Sequence, residues 1–187
     1  GLSAWKQYGS NRWPLRCNPS SGNLHPTESY LIVDNCEGIS PGVHHYVSRD
    51  HLLEQRCQLD NEKALLPDNC FLIGLSSIHW REAWKYGERA FRYCQLDAGH
   101  AISAIRYAAA TLGWQAHILT PASDAQIETI LGINRDIDYQ AAEREHADVL
   151  ILITTHTDTS SDYDFSLQKI AEKAKKCQWY GQANTLS

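Results

Sequence analysis

Residues 149–155 read Val-Leu-Ile-Leu-Ile-Thr-Thr, an apolar run with no polar residue before Thr154. A short continuous run of this kind predicts a β-strand that is covered on both faces. Such a strand implies a sheet with helices packed above and below it. Elsewhere in the chain, β-rich apolar runs predict further strands at 30–33, 43–47, 71–78 and 114–119, with a more exposed strand at 51–59. The sequence therefore predicts an α+β fold, a mixed β-sheet flanked by helices.

The longest helical pattern runs from about residue 80 to residue 112. From Asp97 onward its apolar residues recur at the spacing of one helix face, and they are Ala98, Ala101, Ile102, Ile105, Ala108, Ala109 and Leu112, followed by Gly113. A face this rich in alanine indicates that something packs very close to it. Two interpretations stay open, a core helix against the sheet or a dimer or cofactor interface.

Two shorter helices are predicted toward the end of the chain. Ser123 and Gln126 form a capping box, which predicts a helix that ends at Gly132. Residues 166–176 predict an amphipathic helix with basic residues in its last turns, where they suit the helix dipole.

Composition excludes several classes of protein. The chain has 187 residues, 43% hydrophobic and 21% charged, and a formal net charge of −5. These values fit one globular domain and argue against a nucleic-acid partner that is bound by phosphate neutralisation. No apolar run reaches the length of a membrane span, so no membrane association is expected. The six cysteines form no Cys-x-x-Cys pair, which favours reduced thiols and a cytoplasmic location.

The ends of the sequence predict a segment of a longer protein. The chain contains no methionine, and its last residues, 181–187, read Gly-Gln-Ala-Asn-Thr-Leu-Ser. We expect one domain over residues 1–160, followed by a C-terminal helix and connector over 161–187 that leads to a further region.

The first candidate site is the loop Arg12-Trp-Pro-Leu-Arg-Cys-Asn-Pro-Ser-Ser-Gly-Asn-Leu-His-Pro26. Its small residues Ser20, Ser21 and Gly22 leave backbone N–H groups accessible, with two arginines just upstream. This combination suits an anionic or carbonyl-rich ligand, although a plain surface loop is the alternative. The loop lacks the glycine spacing of the P-loop and of the dinucleotide fingerprint.

The second candidate site is the segment 81–93. In a continuous helix, Arg81, Lys85, Arg89 and Arg92 would form a basic stripe, either a solvated face or a surface that meets an anion. Lys85 stands beside Tyr86, and a buried lysine loses affinity for its proton and can act as a base or an acid. No metal site is expected, because the nine histidines lack ligand spacing and the adjacent His44 and His45 point to opposite faces of a strand.

These motifs resemble a known family. Residues 19–26, Pro-Ser-Ser-Gly-Asn-Leu-His-Pro, followed by a strand, resemble the Pro-Ser-Ser-x-Asn-x-Gln-Pro segment of FMN-dependent nitroreductases. Residues 84–93 and 96–100 are similar to the SagB-type branch, which includes azoline dehydrogenases of peptide natural-product pathways. The resemblance extends over residues 2–155.

The resemblance implies a nitroreductase-like fold, non-covalently bound FMN, and a homodimer or a pseudo-dimer with a tandem domain. It implies a small-molecule or peptide substrate and hydride transfer through flavin N5. Lys85 and Tyr86 match a pair that takes part in proton removal. The cofactor-binding candidates are the loop residues Arg16, Pro19, Ser20, Ser21, Gly22 and Asn23.

Two other functions remain open. One is an NAD(P)H-dependent reductase of nitro compounds or quinones. The other is a degenerate, non-catalytic nitroreductase-like module that supports a partner domain. The degenerate module is suggested by Pro121, which has no N–H where relatives offer one to the flavin.

Overall fold

The structure is a computed structural model that describes residues 2–59, 64–140, 142–156 and 165–181. The strands are β1 (Leu2–Tyr8), β2 (Asn11–Arg16), β3 (Thr27–Val33), β4 (Gly42–Val47), β5 (Leu52–Gln58), β6 (Cys70–Ser77), β7 (Gln115–Ile118) and β8 (His146–Thr154). The α-helices are α1 (Trp80–Tyr86), α2 (Ala90–Thr111), α3 (Asp124–Leu131) and α4 (Leu167–Lys176). None of these helices is both long and apolar enough to cross a membrane.

Six strands form the central sheet in the order β5-β4-β3-β6-β8-β7, and β1 and β2 form a separate hairpin. The α+β class with a helix-flanked sheet is confirmed. Every strand pairing in the described ranges is antiparallel, so mixed strand directions are not seen between neighbours there. The strands β6 and β7 run in the same direction, but β8 lies between them and is antiparallel to both.

The strand β8 is buried on both faces, as its continuous apolar run predicts. Ile151 and Ile153 face one core cluster, which includes Ala101 of α2. Leu150 and Leu152 face the other cluster, with residues of α3 and α4. The sheet therefore carries α2 on one face and α3 and α4 on the opposite face.

The alanine face of α2 is a core face over part of its length. Ala98, Ala101 and Ala109 are buried, and Ala101 packs against the sheet. The capping box of Ser123 forms as predicted, and Gly132 ends α3 in the left-handed conformation. Ser166 caps α4, which ends at Lys176 as expected.

The predicted helix over 80–112 is interrupted. α1 ends at Tyr86, because the φ of 57° at Gly87 breaks the helical path, and a short 3₁₀ turn over Gly87–Arg89 precedes α2. Because of the break, the basic residues before and after Gly87 do not belong to one continuous helix, so the expected basic stripe does not form. Arg81 instead turns inward, where it donates hydrogen bonds to the Glu28 carboxylate and, at 3.0 Å, to the carbonyl of His25.

The proposed division into residues 1–160 and 161–187 stays a prediction. Residues 157–164 and 182–187 lie outside the described ranges. Of the predicted C-terminal region, α4 packs on the sheet through the buried residues Ile170 and Ala171.

Candidate functional site

The loop between β2 and β3 is a tight turn that holds three neighbouring residues in the left-handed region. Gly22, Asn23 and His25 have φ values of 62°, 60° and 49°. This conformation costs about 1–2 kcal/mol for most residues other than glycine. Hydrogen bonds within the loop offset that cost, because the His25 N–H donates to Ser20 Oγ at 2.9 Å and the His25 ring contacts Asn23 Oδ1 at 2.8 Å.

The loop is fixed to the helices through Ser20. Its hydroxyl donates to Asp97 of α2 at 2.5 Å and lies 3.5 Å from Glu82 of α1. The Ser21 backbone N–H also donates to Asp97. Both carboxyl side chains are buried, so the loop rests on two acidic groups inside the protein.

Gly22 brings the loop against the lysine and tyrosine of α1. A β-carbon added at Gly22 would lie 2.7 Å from Lys85 Nζ and 2.8 Å from the Tyr86 hydroxyl. The Lys85 ammonium also lies 5.4 Å from the centre of the Tyr86 ring, and Tyr86 packs edge-on against Tyr93. The two motifs that the sequence singles out therefore meet at Gly22, where an added side chain would require the ends of the Lys85 and Tyr86 side chains to shift.

A cavity of about 320 Å³ lies beside this loop, between β3, the end of β4 and α2. One side of the cavity is apolar and is formed by Leu75, Ala101, Ala104, Ile105 and Ala108. The polar lining residues include Arg16, His25, Glu28 and Tyr46 of the loop and the strands, and Asp97, which lies on α2 with the alanines. Alanines of α2 thus pack in the core and also line the cavity.

The polar lining of the cavity carries charges of both signs. Burial, together with the nearby guanidinium groups of Arg16 and Arg81, lowers the pKa of His25 to about 4, so its ring is neutral at pH 7. Burial would raise the pKa of Glu28, but the hydrogen bond from His45 and the charge of Arg81 outweigh it and lower that pKa. Glu28 is therefore a carboxylate already engaged by His45 and Arg81.

The structure divides the predicted site residues between these two regions. Arg16 and Pro19 line the cavity, whereas Gly22, Lys85 and Tyr86 meet at the outer edge of the loop. Ser20 and Ser21 are turned toward Asp97, and Asn23 bonds His25. Neither Lys85 nor Tyr86 lines the cavity, so their roles, and those of the six cofactor candidates, remain predictions.

Sequence reasoning missed Glu28, Glu82 and Asp97 as residues of the site. A signal for two of them was present in the pattern. Asp97 occupies an apolar-face position one turn before Ala101 of α2, and Glu28 alternates with the buried Tyr30 and Ile32 of β3. An acidic residue at a core position is uncommon without a partner, so it marks a place where a polar group is needed.

The adjacent histidines His44 and His45 have separate partners, as their opposite orientation predicts. His44 contacts the Ser40 carbonyl at 2.8 Å, and His45 contacts Glu28 at 2.9 Å. Within the described ranges, no group of three or more His, Cys, Asp or Glu side chains is arranged to hold a metal ion.

Two curated proteins are similar in sequence to this chain. A Methanocaldococcus jannaschii protein that carries a provisional nitroreductase name is 28% identical over 126 residues, which are 62% of this chain and 63% of that protein. The trifolitoxin-processing protein TfxB of Rhizobium leguminosarum bv. trifolii is 31% identical over 145 residues, which are 70% of this chain and 39% of TfxB. The chain thus spans less than two thirds of the length of either protein. No family model matches it.

Solved structures agree with the fold. A provisionally named nitroreductase of Anabaena variabilis superposes with a TM-score of 0.66 at 26% identity, covering 82% of this chain and 32% of that one. The Escherichia coli microcin synthetase McbBCD complex with truncated pro-MccB17 bound superposes with a TM-score of 0.63 at 16% identity, covering 84% of this chain and 60% of the matched chain. The chain therefore has a nitroreductase-like fold and nitroreductase homologues, and its similarity to TfxB supports the SagB-type branch.

Proposed function

We propose that this chain is an FMN-dependent oxidoreductase that dehydrogenates an azoline-type or related ring, in a small molecule or a peptide. The observation that carries the proposal is the meeting of Gly22 with Lys85 and Tyr86. The peptide substrate class is supported by two similar proteins, one described as trifolitoxin-processing and the other as a microcin synthetase with a truncated pro-peptide bound.

The residues present fit a flat, anionic cofactor. Gly22 leaves open the space that a β-carbon would fill beside Lys85 and Tyr86. Arg16 is half-buried and lines the cavity, and its guanidinium forms no hydrogen bond with the other described residues. Burial lowers its pKa, against the nearby charge of Glu28. A guanidinium of this kind is suited to an oxyanion of a ligand. Arg16, Pro19, Ser20, Ser21, Gly22 and Asn23 would hold FMN.

When bound, FMN supplies a two-electron acceptor that takes hydride at N5. The second hydrogen of the substrate must leave as a proton, and Lys85 is placed to take it. Its amine is exposed and forms no ion pair within the described ranges. The Tyr86 hydroxyl, beside the same point of the loop, would share this proton.

The test of cofactor binding is a titration of the flavin-free chain with FMN. We expect saturable uptake, a yellow protein and quenched flavin fluorescence, with riboflavin binding at least tenfold more weakly because it lacks the phosphate. Replacing Arg16 by alanine should remove most of that preference, whereas the Arg49→Ala variant, changed at an exposed turn, should keep it. A colourless chain that takes up no FMN would contradict the proposal and favour the non-catalytic module.

We also infer that a second copy of the chain completes the site. Six large apolar residues of α1, α2 and the residue after α2 are at least half exposed, namely Trp80, Trp84, Phe91, Leu96, Tyr107 and Leu112. Exposed apolar side chains in this number mark an interaction face, and one of them, Trp84, directly precedes Lys85 in α1.

Sedimentation velocity tests the dimer. We expect the FMN-loaded chain to sediment as a dimer and the double variant Leu96→Glu with Tyr107→Glu to sediment as a monomer with weaker FMN binding. Leu52→Glu, on the exposed edge strand β5, is the matched control and should leave the dimer intact. A wild-type chain that is monomeric at all concentrations would exclude the homodimer and leave the tandem pseudo-dimer.

A second candidate function is the NAD(P)H-dependent reduction of nitro compounds or quinones. It is favoured by the provisional nitroreductase names of two similar proteins. Turnover of a quinone with NAD(P)H that depends on FMN and not on Lys85 would select it.

A further inference from the structure

Two buried carboxyl groups lie directly behind the loop. Glu82 is 0% exposed and Asp97 is 5% exposed. The Ser20 hydroxyl oxygen lies between them, 2.5 Å from Asp97 and 3.5 Å from Glu82. Two ionised carboxylates in one buried site repel each other, and each loses hydration. The pair is therefore expected to hold a proton.

The hydrogen-bond inventory of Ser20 indicates which carboxyl group holds that proton. A serine hydroxyl has one hydrogen to donate and two lone pairs. Ser20 uses its hydrogen for Asp97 and one lone pair for the His25 N–H. Asp97 receives a second donor, the Ser21 N–H. Asp97 thus has the donors that a carboxylate requires.

Glu82 has no such donor. Its Oε2 atom is buried without a hydrogen-bond partner in the described part of the chain. Its Oε1 atom faces only Ser20, whose hydrogen is already committed to Asp97. An ionised Glu82 would be buried with neither oxygen satisfied, whereas a protonated Glu82 can donate toward the remaining lone pair of Ser20 Oγ.

The charges around Glu82 agree with this assignment. Burial, followed by the charge of Asp97, raises the pKa of Glu82, and Ser20 and Lys85 oppose the shift. On α2, burial raises the pKa of the Cys94 thiol to about 12, with Glu82, Asp148 of β8 and Asp97 adding to the effect. That thiol is therefore neutral and adds no further negative charge.

The surroundings of Asp97 differ from those of Glu82 in the number of groups that stabilise the carboxylate form. Burial raises its pKa too, but the Ser20 hydroxyl, the charge of His100 and the Ser21 N–H all oppose that shift. The carboxylate form is stabilised at Asp97 by three groups, and at Glu82 by a long contact to Ser20 and by Lys85. The charge of the pair is thus better placed on Asp97.

We propose that Glu82 is a neutral carboxylic acid and Asp97 a carboxylate, and that this single buried charge fixes the Ser20 loop while leaving Lys85 without a buried counter-ion. Both are positioning residues, since neither contacts the outer edge of the loop where Gly22, Lys85 and Tyr86 meet. The consequence for Lys85 rests on the proposed function: with Glu82 neutral, its amine is not drawn into an ion pair behind the loop and stays available to the substrate.

Carboxyl protonation can be measured without any flavin. We would label the full chain with ¹³C at the glutamate side-chain carboxyl and follow each carboxyl resonance with pH. We expect a resonance that remains protonated at pH 7 and is absent from the Glu82→Gln variant. Glu145 is also buried with a pKa raised by burial and by Glu28, so Glu145→Gln is the matched control. A Glu82 resonance that titrates near the ordinary value of about 4.3 overturns the proposal.

Thermal unfolding against pH gives a second measurement on the same variants. The native state holds a proton on Glu82 at pH values where the unfolded chain has lost it, so this proton makes stability fall as pH rises through that window. Glutamine does not titrate and imitates the protonated acid. We expect the Tm of Glu82→Gln to rise relative to wild type with increasing pH. A Tm difference that is constant across pH 5–8 overturns the proposal.

Asp97→Asn completes the test. The carboxylate of Asp97 accepts hydrogen bonds from Ser20 and Ser21, whereas the asparagine amide has one accepting oxygen and one donating NH₂ group. We expect FMN affinity to fall at least tenfold in Asp97→Asn and less than threefold in Glu82→Gln, and equal losses in both would contradict the assignment. If Asp97→Asn fails to fold, the ¹³C titration of the wild-type chain still decides. A chain that shows a protonated Glu82 and binds no FMN would refute the proposed function alone.

Discussion

Replacing Lys85 by alanine is expected to slow azoline oxidation by the FMN-loaded chain about 10²–10⁴-fold, the usual contribution of a general base. The Lys85 amine lies at the point where the loop meets α1, beside Gly22 and Tyr86. Without it, the proton of the substrate has no nitrogen base at this point of the loop. FMN affinity should change little, since the anchoring contacts of the loop are made by Ser20 and Ser21 with Asp97. The measurement is kcat with an azoline-containing peptide, beside the FMN dissociation constant.

Two variants separate the base from the charge. Lys85→Arg keeps the positive charge but not a group that can be deprotonated near neutral pH, so it should be nearly as slow as Lys85→Ala. Lys176→Ala, on the exposed end of α4, is the matched control and should retain full activity. Unchanged quinone reduction in Lys85→Ala, with no azoline oxidation by the wild-type chain, would instead select the reductase.

The parts of the fold that were predictable are those in which hydrophobic burial alone determines structure. The strand β8 is covered on both faces, so its residues form an uninterrupted apolar run. The helix α2 needs small residues where it packs on the sheet, and its alanines recur with the helical period. In both elements the local pattern and the tertiary environment favour the same structure.

The hairpin of β1 and β2 was not predictable from the same signal. Its large side chains are mainly exposed, with Trp5 at 43% and Tyr8 at 80%, so no alternation of buried and exposed residues marks its strands. The break at Gly87 was hidden as well, because apolar and basic residues continue with helical spacing on both sides of it. Propensity at one glycine is a weak signal against a long periodic segment.

The candidate site was predictable by residue type and not by arrangement. Small residues and the Lys85–Tyr86 pair were identified because their chemistry is unusual for a surface. Glu82 and Asp97 were missed because charged residues are assigned to the solvent side by default. The position of Asp97 on the apolar face of α2 is a local signal. The contacts of both carboxyl groups with Ser20, which is distant from them in the sequence, leave no mark in a local pattern.

The Gly22→Ala variant is expected to lower turnover of the FMN-loaded chain about 10²-fold, the cost that accompanies a displacement of roughly 1 Å in a reacting group. The new methyl group would lie 2.7 Å from Lys85 Nζ and 2.8 Å from the Tyr86 hydroxyl, closer than non-bonded atoms approach. Lys85 can swing away, but Tyr86 is held by its edge-on contact with Tyr93, so the loop must move. We expect FMN affinity to fall with turnover, measured by fluorescence titration.

Gly113→Ala is the control that separates this contact from backbone strain. Gly113 has a φ of 73°, close to the 62° of Gly22, but an added β-carbon there meets nothing within 4 Å. Alanine in this conformation costs about 1–2 kcal/mol wherever it occurs, so both variants should show a similar loss of Tm. If the contact with Lys85 and Tyr86 matters, Gly22→Ala alone loses FMN affinity and turnover. Equal FMN affinity in the two variants would show that the edge of the loop at Gly22 is not where the cofactor binds.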